Sequence, residues 1–163
     1  MHLDPAQKAT LKANITAKQV AGQPLAGVTD EQAIANFYNA ASAFFVWRTN
    51  VTKAEIYHST SVDGTTWDWN IFKAQSVPEQ GAWAQMFSGE SGNFSLLNFR
   101  IGIEKIFGLV NAQTTHCKAV GKRVCLRLEA LFATGTGTSA VPGLLVVEGA
   151  INAQEVANVI GGV

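Results

Sequence analysis

The stretch NAQTTHCKAVGKRVCLRLEALFATGTGT, from Asn111 to Thr138, carries the most regular apolar pattern in the chain. Its apolar residues recur at spacings of three and four, which places them on one side of an α-helix. These residues are Cys117, Val120, Val124, Leu128 and Leu131. Gly121 lies in the same stripe and would let a neighbouring segment approach closely. The pattern predicts one long helix that stops at the Gly-Thr run, where Gly135 can adopt the left-handed conformation.

Basic side chains lie off the apolar stripe of this predicted helix. They are Lys118, Lys122, Arg123 and Arg127. Cations toward the C-terminal end of a helix interact favourably with its dipole, which is one interpretation of the cluster. The other interpretation is a basic surface turned toward nucleic acid or an acidic partner.

The composition predicts one domain with a substantial core. The chain has 163 residues, of which 47% are hydrophobic and only 15% charged, and its formal net charge is zero. One domain is the expectation for this length. So little charge suggests that part of the surface is buried in an assembly. Since the N-terminal sequence lacks an apolar signal core and no run reaches about 18 apolar residues, we expect a soluble, intracellular protein.

Capping patterns predict where several helices begin. A capping box pairs a small polar residue with an acid or amide three positions later. Such pairs occur at Asp4/Gln7, Thr52/Glu55, Ser76/Glu79 and Asn152/Glu155. We also expect Thr29 to cap a second helix, and Asn93 to cap a nearly all-apolar helix that ends at Gly108 and is the most buried one.

Two apolar stretches have the character of strands. Residues 143–151, GLLVVEGAI, are apolar and β-branched, and residues 43–51, AFFVWRTNV, could also be extended. A lone strand needs a partner, so the first would pair with the region around Phe45 or with another chain. The resulting prediction is a mainly α protein. A small helical bundle would span residues 1–133, and a C-terminal arm with a Gly/Thr hinge, one short β-strand and a short helix would span residues 134–163.

The polar residues predict no metal or cofactor site. The three histidines, His2, His58 and His116, do not have the spacing of metal ligands. The Gly-Thr run lacks the lysine of a phosphate-binding loop and follows a helix rather than a strand. Most carboxylates are explained as caps or turn residues, and Glu104 and Glu129 as ion-pair partners of Lys105, Arg100 or Arg127. We therefore expect neither an enzyme nor a cofactor.

The cysteines and tryptophans are interpreted as packing residues. Cys117 and Cys125 would lie about 12 Å apart along one helix, too far for a disulfide, so we expect both to be buried. The four tryptophans are more typical of a core or an interface than of base stacking. Arg48, beside Trp47, has the character of an interface anchor.

Several local patterns together resemble a family of tailed-bacteriophage structural proteins from the head-to-tail connector, or neck. The patterns are Val46-Trp47-Arg48-Thr49 with Val51, Thr52-Lys53-Ala54-Glu55-Ile56, the Trp67/Trp69 pair, Leu131-Phe132-Ala133-Thr134-Gly135-Thr136-Gly137-Thr138, Pro142, and Glu148-Gly149. The resemblance extends from Phe45 to Ile151, and its motifs are structural rather than catalytic.

The resemblance implies a mainly helical subunit of a homo-oligomeric, twelve-fold ring that joins the phage portal protein to the tail. Such a ring lines the DNA exit channel, contacts other neck or tail proteins, and passes double-stranded DNA without sequence specificity. It would be made in the host bacterial cytoplasm and reside in the virion, with no membrane partner. Adaptors of this kind hold the portal through an extended C-terminal segment, which maps onto the predicted arm.

The resemblance and the sequence patterns together nominate interface residues. In the arm they are Gly135, Gly137, Leu144, Leu145, Val146, Val147 and Ile151. As subunit-interface or core anchors they are Trp47, Arg48, Trp67 and Trp69. The four basic residues of the long helix are candidates to face the channel.

Other functions are compatible with the same patterns. The protein could be another virion component, namely a head-completion stopper, a tail terminator or a head-decoration protein. It could also be a small DNA-binding regulator that uses the basic residues, which predicts DNA affinity that falls steeply with salt.

Overall fold

A computed structural model describes residues 3–61 and 63–162, so His2 lies outside the described part. About half of the chain is helical and 12% is strand. The helices are α1 (Pro5–Lys18), α2 (Glu31–Asn39), α3 (Lys53–His58), α4 (Trp69–Lys73), α5 (Val77–Met86), α6 (Leu97–Phe107), α7 (Ala112–Val120), α8 (Arg127–Phe132) and α9 (Ala153–Gly161). The strands are β1 (Ala41–Trp47), β2 (Val51–Thr52), β3 (Ser91–Gly92) and β4 (Lys122–Leu126). The fold is therefore mixed α/β, and the prediction of a mainly α helical bundle was wrong.

The four capping boxes are confirmed. The capping side chains are those of Asp4, Thr52, Ser76 and Asn152, and each accepts a hydrogen bond from the backbone amide of the third residue of its helix. The side chain of that third residue accepts a hydrogen bond from the backbone amide of the capping residue. These local pairs satisfy amides that a helix start leaves free, which is why they could be recognised without tertiary information. Two other predicted caps were wrong. Asp30 rather than Thr29 caps α2, and Asn93 bonds to Ser95 in a turn that precedes α6.

The long helix predicted after Asn111 was wrong, because the chain changes conformation twice within it. Helix α7 stops at Gly121, residues 122–126 form β4, and α8 begins at Arg127. The apolar spacing of three and four does not distinguish one helix from two helices joined by a short strand. Residues 122–126 become extended because β1 supplies the backbone partners that β4 needs. Val124 is exposed and Cys125 is buried, which is the alternation of a strand.

The sheets are small and involve different partners from those predicted. Strand β1 pairs with β4, and β2 pairs antiparallel with β3 through Val51↔Gly92 and Thr52↔Ser91. The expected C-terminal strand at residues 143–151 was wrong. This segment contains isolated bridge residues at Gly143 and Leu144, of which Leu144 pairs with Thr134, and no regular strand. The extended region around Phe45 is real, but its partner is β4 rather than the C-terminal segment.

The chain divides into two compact units, and each has its own core. The first unit combines the described residues up to Phe44 with those from Val124 onward. Its core brings α1, α2, α8 and α9 together. Core side chains from both ends of the chain meet here, among them Leu11, Ile34, Leu128, Val156 and Val159. The predicted C-terminal arm thus contributes side chains to this core.

The second unit spans Phe45 to Arg123 and has an aromatic core. Trp83 and Phe94 are its largest fully buried aromatic residues, and Trp67 is 8% exposed. The ring of Trp67 lies 5.3 Å from that of Trp83 and 5.8 Å from that of Phe107. Helix α6 was expected to be the most buried helix, yet it presents Leu97 and Ile101 to solvent. Its inward face carries Ile103, Ile106 and Phe107.

Candidate functional site

The loop between α8 and α9, residues 133–152, begins with the predicted Gly-Thr hinge. Gly135 and Gly137 both have positive φ, at 94° and 66°. A side-chain carbon at Gly137 or Gly143 would overlap the ring of Phe44. Because Gly137 and Gly143 have no side chain, the loop can pack closely on the ring of Phe44.

The apolar interface candidates of this loop divide into exposed and buried residues. Leu144 is 42% exposed and Val146 is 59% exposed, and Val141 nearby is 59% exposed. Leu145 is half-buried. Val147 and Ile151 are buried in the core of the first unit. The structure therefore places Val141, Leu144 and Val146 where a partner could contact them, and uses Val147 and Ile151 to hold the loop.

Polar contacts anchor the far end of the loop. Glu129 on α8 is buried, and its carboxylate accepts hydrogen bonds from the amides of Leu126 at 2.8 Å and Gly149 at 3.0 Å. The side chain of Asn39 donates to the carbonyl of Ile151 and accepts from its amide, at 2.7 and 2.9 Å. These bonds satisfy backbone groups that no regular element serves.

Glu129 is the residue whose role the sequence interpretation missed. Ion pairing with Lys105, Arg100 or Arg127 was the expectation, and the contacts of the carboxylate include two backbone amides. A local signal did exist, since Glu129 is the third residue of α8 and bonds back to the cap amide of Leu126. The contact to Gly149 had no such signal, because it joins residues that are distant in sequence.

Arg48 lies at the junction of several segments of the second unit. Its backbone amide donates to Gly121 and its carbonyl accepts from Phe94, both at 2.9 Å. Its guanidinium forms an ion pair with Glu55 and donates to the carbonyl of Val120 at 3.3 Å. Burial raises the pKa of Glu55, but hydrogen bonds from Thr52 and Arg48 outweigh burial and hold that pKa below its ordinary value. Arg48 is thus a structural anchor of its own unit.

The tryptophan candidates occupy different environments. Trp67 is a core residue, whereas Trp69 is 46% exposed and packs against Tyr57 with ring centroids 4.8 Å apart. Trp47 is half-buried, with the guanidinium of Arg100 4.5 Å from its ring centroid. Of these three, Trp69 presents the most apolar surface.

The four basic candidates do not share one helix face, because they lie on three elements. Lys118 on α7 pairs with Glu104, and Lys122 on β4 pairs with Asp63 at 2.8 Å. Arg123 also lies on β4 and is half-buried. Arg127 on α8 is exposed, and its guanidinium lies 4.3 Å from the ring centroid of Phe37. Glu104 forms its ion pair with Lys118, which was not among the expected partners Lys105, Arg100 and Arg127.

Two buried polar side chains on α7 hold the preceding loop in place. His116 bonds through Nε2 to the carbonyl of Ile56 at 2.7 Å and through Nδ1 to the hydroxyl of Thr65 at 3.2 Å. Gln113 accepts from the amide of Asp68 at 3.0 Å. A carbonyl oxygen can only accept a hydrogen bond, so Nε2 of His116 is the donor to Ile56. Through these contacts His116 and Gln113 both have structural roles.

The cysteines are buried and unbridged, as predicted. Burial raises the pKa of the Cys117 thiol. Among the described residues, no group of three or more histidine, cysteine or acidic side chains is arranged to hold a metal ion. Within the same residues, no helix has the length and apolarity needed to cross a membrane.

Comparison of the chain with protein-family models, with curated proteins and with solved structures finds no significant match.

Proposed function

We propose that this protein is a structural virion subunit of a tailed bacteriophage. In this proposal it forms an oligomeric neck ring that joins the portal to the tail and lines the DNA exit channel. The observation that carries the proposal is the exposed apolar surface of the loop at Val141, Leu144 and Val146. This loop coincides with the segment that the sequence resemblance assigns to portal binding.

The loop combines features that suit an assembly contact. Three exposed aliphatic side chains lie within six consecutive residues, whereas only 15% of the chain is charged. Within the described part of the chain, residues 145–147 make no backbone hydrogen bond. A partner could therefore bury the apolar side chains and pair with these backbone groups at the same time.

The same proposal assigns a role to the basic residues. Arg127 is the exposed member of the four, so it is the candidate for contact with passing DNA. A guanidinium contacts phosphate without reading the base sequence, which suits a channel that must pass the whole genome.

Native mass measurement tests the proposal. The chain is measured alone and mixed with the portal ring encoded in the same genome. We expect saturable uptake at about one copy per portal subunit, since stacked rings share symmetry. A chain that ignores the portal and joins tails or capsids instead would contradict the adaptor position.

A matched pair of variants tests the loop. Val146→Asp introduces a charge on the proposed contact surface and should abolish uptake. Val77→Asp places the same charge at a valine that is 82% exposed at the start of α5, and should leave uptake unchanged. Equal uptake by both variants would show that the loop does not contact the portal.

A further inference from the structure

A small polar cleft in the second unit has no role in the proposed function. It has a volume of about 170 Å³ and lies where the chain leaves α3 and where α7 passes into β4. Its polar lining consists of Arg48, Lys122 and the consecutive hydroxyl residues Ser59, Thr60 and Ser61. This volume is well above the roughly 10–15 Å³ that one water molecule needs, so the cleft has room for one small oxyanion.

The described residues that line the cleft include two cations and no carboxylate. Glu55 holds Arg48 from outside the lining, and Asp63 holds Lys122 in the same way at 2.8 Å. The Lys122 side chain is only 9% exposed. These ion pairs fix the positions of both cations, so a ligand would not have to order two flexible side chains.

Hydrogen-bond donors remain in the cleft after the internal contacts are formed. Arg48 has five N–H donors, and its guanidinium makes two hydrogen bonds, to Glu55 and to the carbonyl of Val120. The hydroxyls of Ser59 and Thr60 have no partner among the described residues. Ser61 is occupied, because its hydroxyl bonds to that of Thr65 at 2.7 Å. A ligand here must therefore be mainly an acceptor of hydrogen bonds.

Backbone hydrogen bonds form a turn on the hydroxyl side of the cleft. The amide of Ser61 donates to the carbonyl of Thr65, and that of Gly64 donates to the carbonyl of Ser61, both at 2.9 Å. Gly64 adopts φ of 74°, the left-handed conformation that glycine favours in a turn after aspartate. The turn places the carboxylate of Asp63 next to Lys122, and it places residues 59–61 beside Arg48 and Lys122.

We propose that the cleft binds a phosphate group, supplied either as inorganic phosphate or as a phosphodiester of nucleic acid. A tetrahedral oxyanion accepts from guanidinium, ammonium and hydroxyl donors, which are the groups that line the cleft. Carboxylates outside the lining balance the cations, so binding depends on a phosphate group that enters the cleft rather than on a net positive charge.

Amide NMR of the 17.4 kDa chain tests the proposal directly. Sodium phosphate is titrated against sodium chloride at matched ionic strength. We expect saturable shifts specific to phosphate at the amides of residues 59–61 and 121–122. Shifts that do not saturate, or that chloride reproduces, would overturn the proposal.

Mild variants separate binding from folding. Ser59→Ala combined with Thr60→Val removes both unpartnered hydroxyls and should weaken phosphate binding about tenfold or more. Lys122→Gln should abolish it, while Lys73→Gln removes the same charge from an exposed residue of the same unit and should change nothing. Unchanged affinity in the folded double variant would overturn the proposal.

A second titration identifies the source of the phosphate. A short DNA duplex that shifts the same amides, and loses this effect in the double variant, identifies a phosphodiester ligand. A duplex without effect, alongside saturable binding of inorganic phosphate, identifies the free ion. If neither probe shifts these amides, the proposal is wrong.

Discussion

The buried carboxylate of Glu129 accepts a hydrogen bond from the amide of Gly149 at 3.0 Å and so ties the loop after α8 to the helix itself. Glu129→Ala would leave the amides of Leu126 and Gly149 without this acceptor. Because buried unpaired donors cost about 1–3 kcal/mol, we expect a loss of that order in the free energy of unfolding. Chemical denaturation measures this loss, and hydrogen exchange should show faster exchange at Gly149. Glu90→Ala, at an exposed turn residue, is the control and should have little effect.

Gly121 contacts the ring of Phe94, and a side-chain carbon at this position would overlap the ring. Gly121→Ala should therefore lower the free energy of unfolding by about 1–3 kcal/mol, as overpacking usually does. Gly81→Ala is the matched control, because Gly81 is an exposed helical residue with no neighbouring atom within 4 Å of an added carbon. It should stabilise the protein by roughly 0.5–1 kcal/mol through helix propensity. Equal effects of the two substitutions would show that Phe94 does not pack on Gly121.

Tyr38 should make stability fall at high pH. Burial raises the pKa of its hydroxyl from 10 to about 12. Between these values the folded protein binds more protons than the unfolded chain, so the free energy of unfolding decreases as pH rises. The contribution is fully present below pH 10. Tyr38→Phe should reduce this decrease, although it also removes the 2.7 Å hydrogen bond to Asn14 and lowers stability at neutral pH. Chemical denaturation at several pH values between 10 and 12 measures this for the original protein and for Tyr38→Phe. The same dependence of the free energy of unfolding on pH in both proteins would contradict the prediction.

The C-terminal segment should be needed for folding of the first unit. A chain that ends before Thr134 lacks Val147, Ile151, Val156 and Val159, all of which belong to its core. We expect such a chain to lose cooperative unfolding and resistance to protease. A truncated chain that stays folded would instead support an independent arm.

Two substitutions on α9 test whether the buried face of this helix is needed for folding. Val156 is fully buried, while Ile160 on the same helix is 37% exposed. Val156→Asp should unfold the first unit, because it buries a charge without a partner. Ile160→Asp should leave folding nearly unchanged, as measured by circular dichroism and thermal unfolding.

Neither cysteine should react with thiol reagents in the folded protein. Both are buried, and burial raises the pKa of Cys117, so little thiolate forms there at neutral pH. Modification should follow unfolding and reach two thiols per chain in denaturant. Rapid reaction of either cysteine under native conditions would show that its segment opens readily.

The sequence by itself determined the features that depend on near neighbours. The capping boxes at Asp4, Thr52, Ser76 and Asn152 are formed as predicted, because each pair lies within one helical turn. The helix end at Gly108 was recognised for a similar reason. These contacts join residues that are close in the sequence, so they form independently of the tertiary structure.

Only the tertiary structure decided the features that depend on distant partners. Residues 122–126 carry apolar spacing that also suits a helix, but pairing with β1 makes them a strand. Residues 143–151 have the composition of a strand, yet they form only isolated bridges at Gly143 and Leu144 and no regular strand. The phosphate cleft likewise depends on Arg48, Thr60 and Lys122 being brought together from separate segments. Backbone groups and charged side chains pair with residues that the tertiary structure brings close to them. The local sequence does not specify which residues those are.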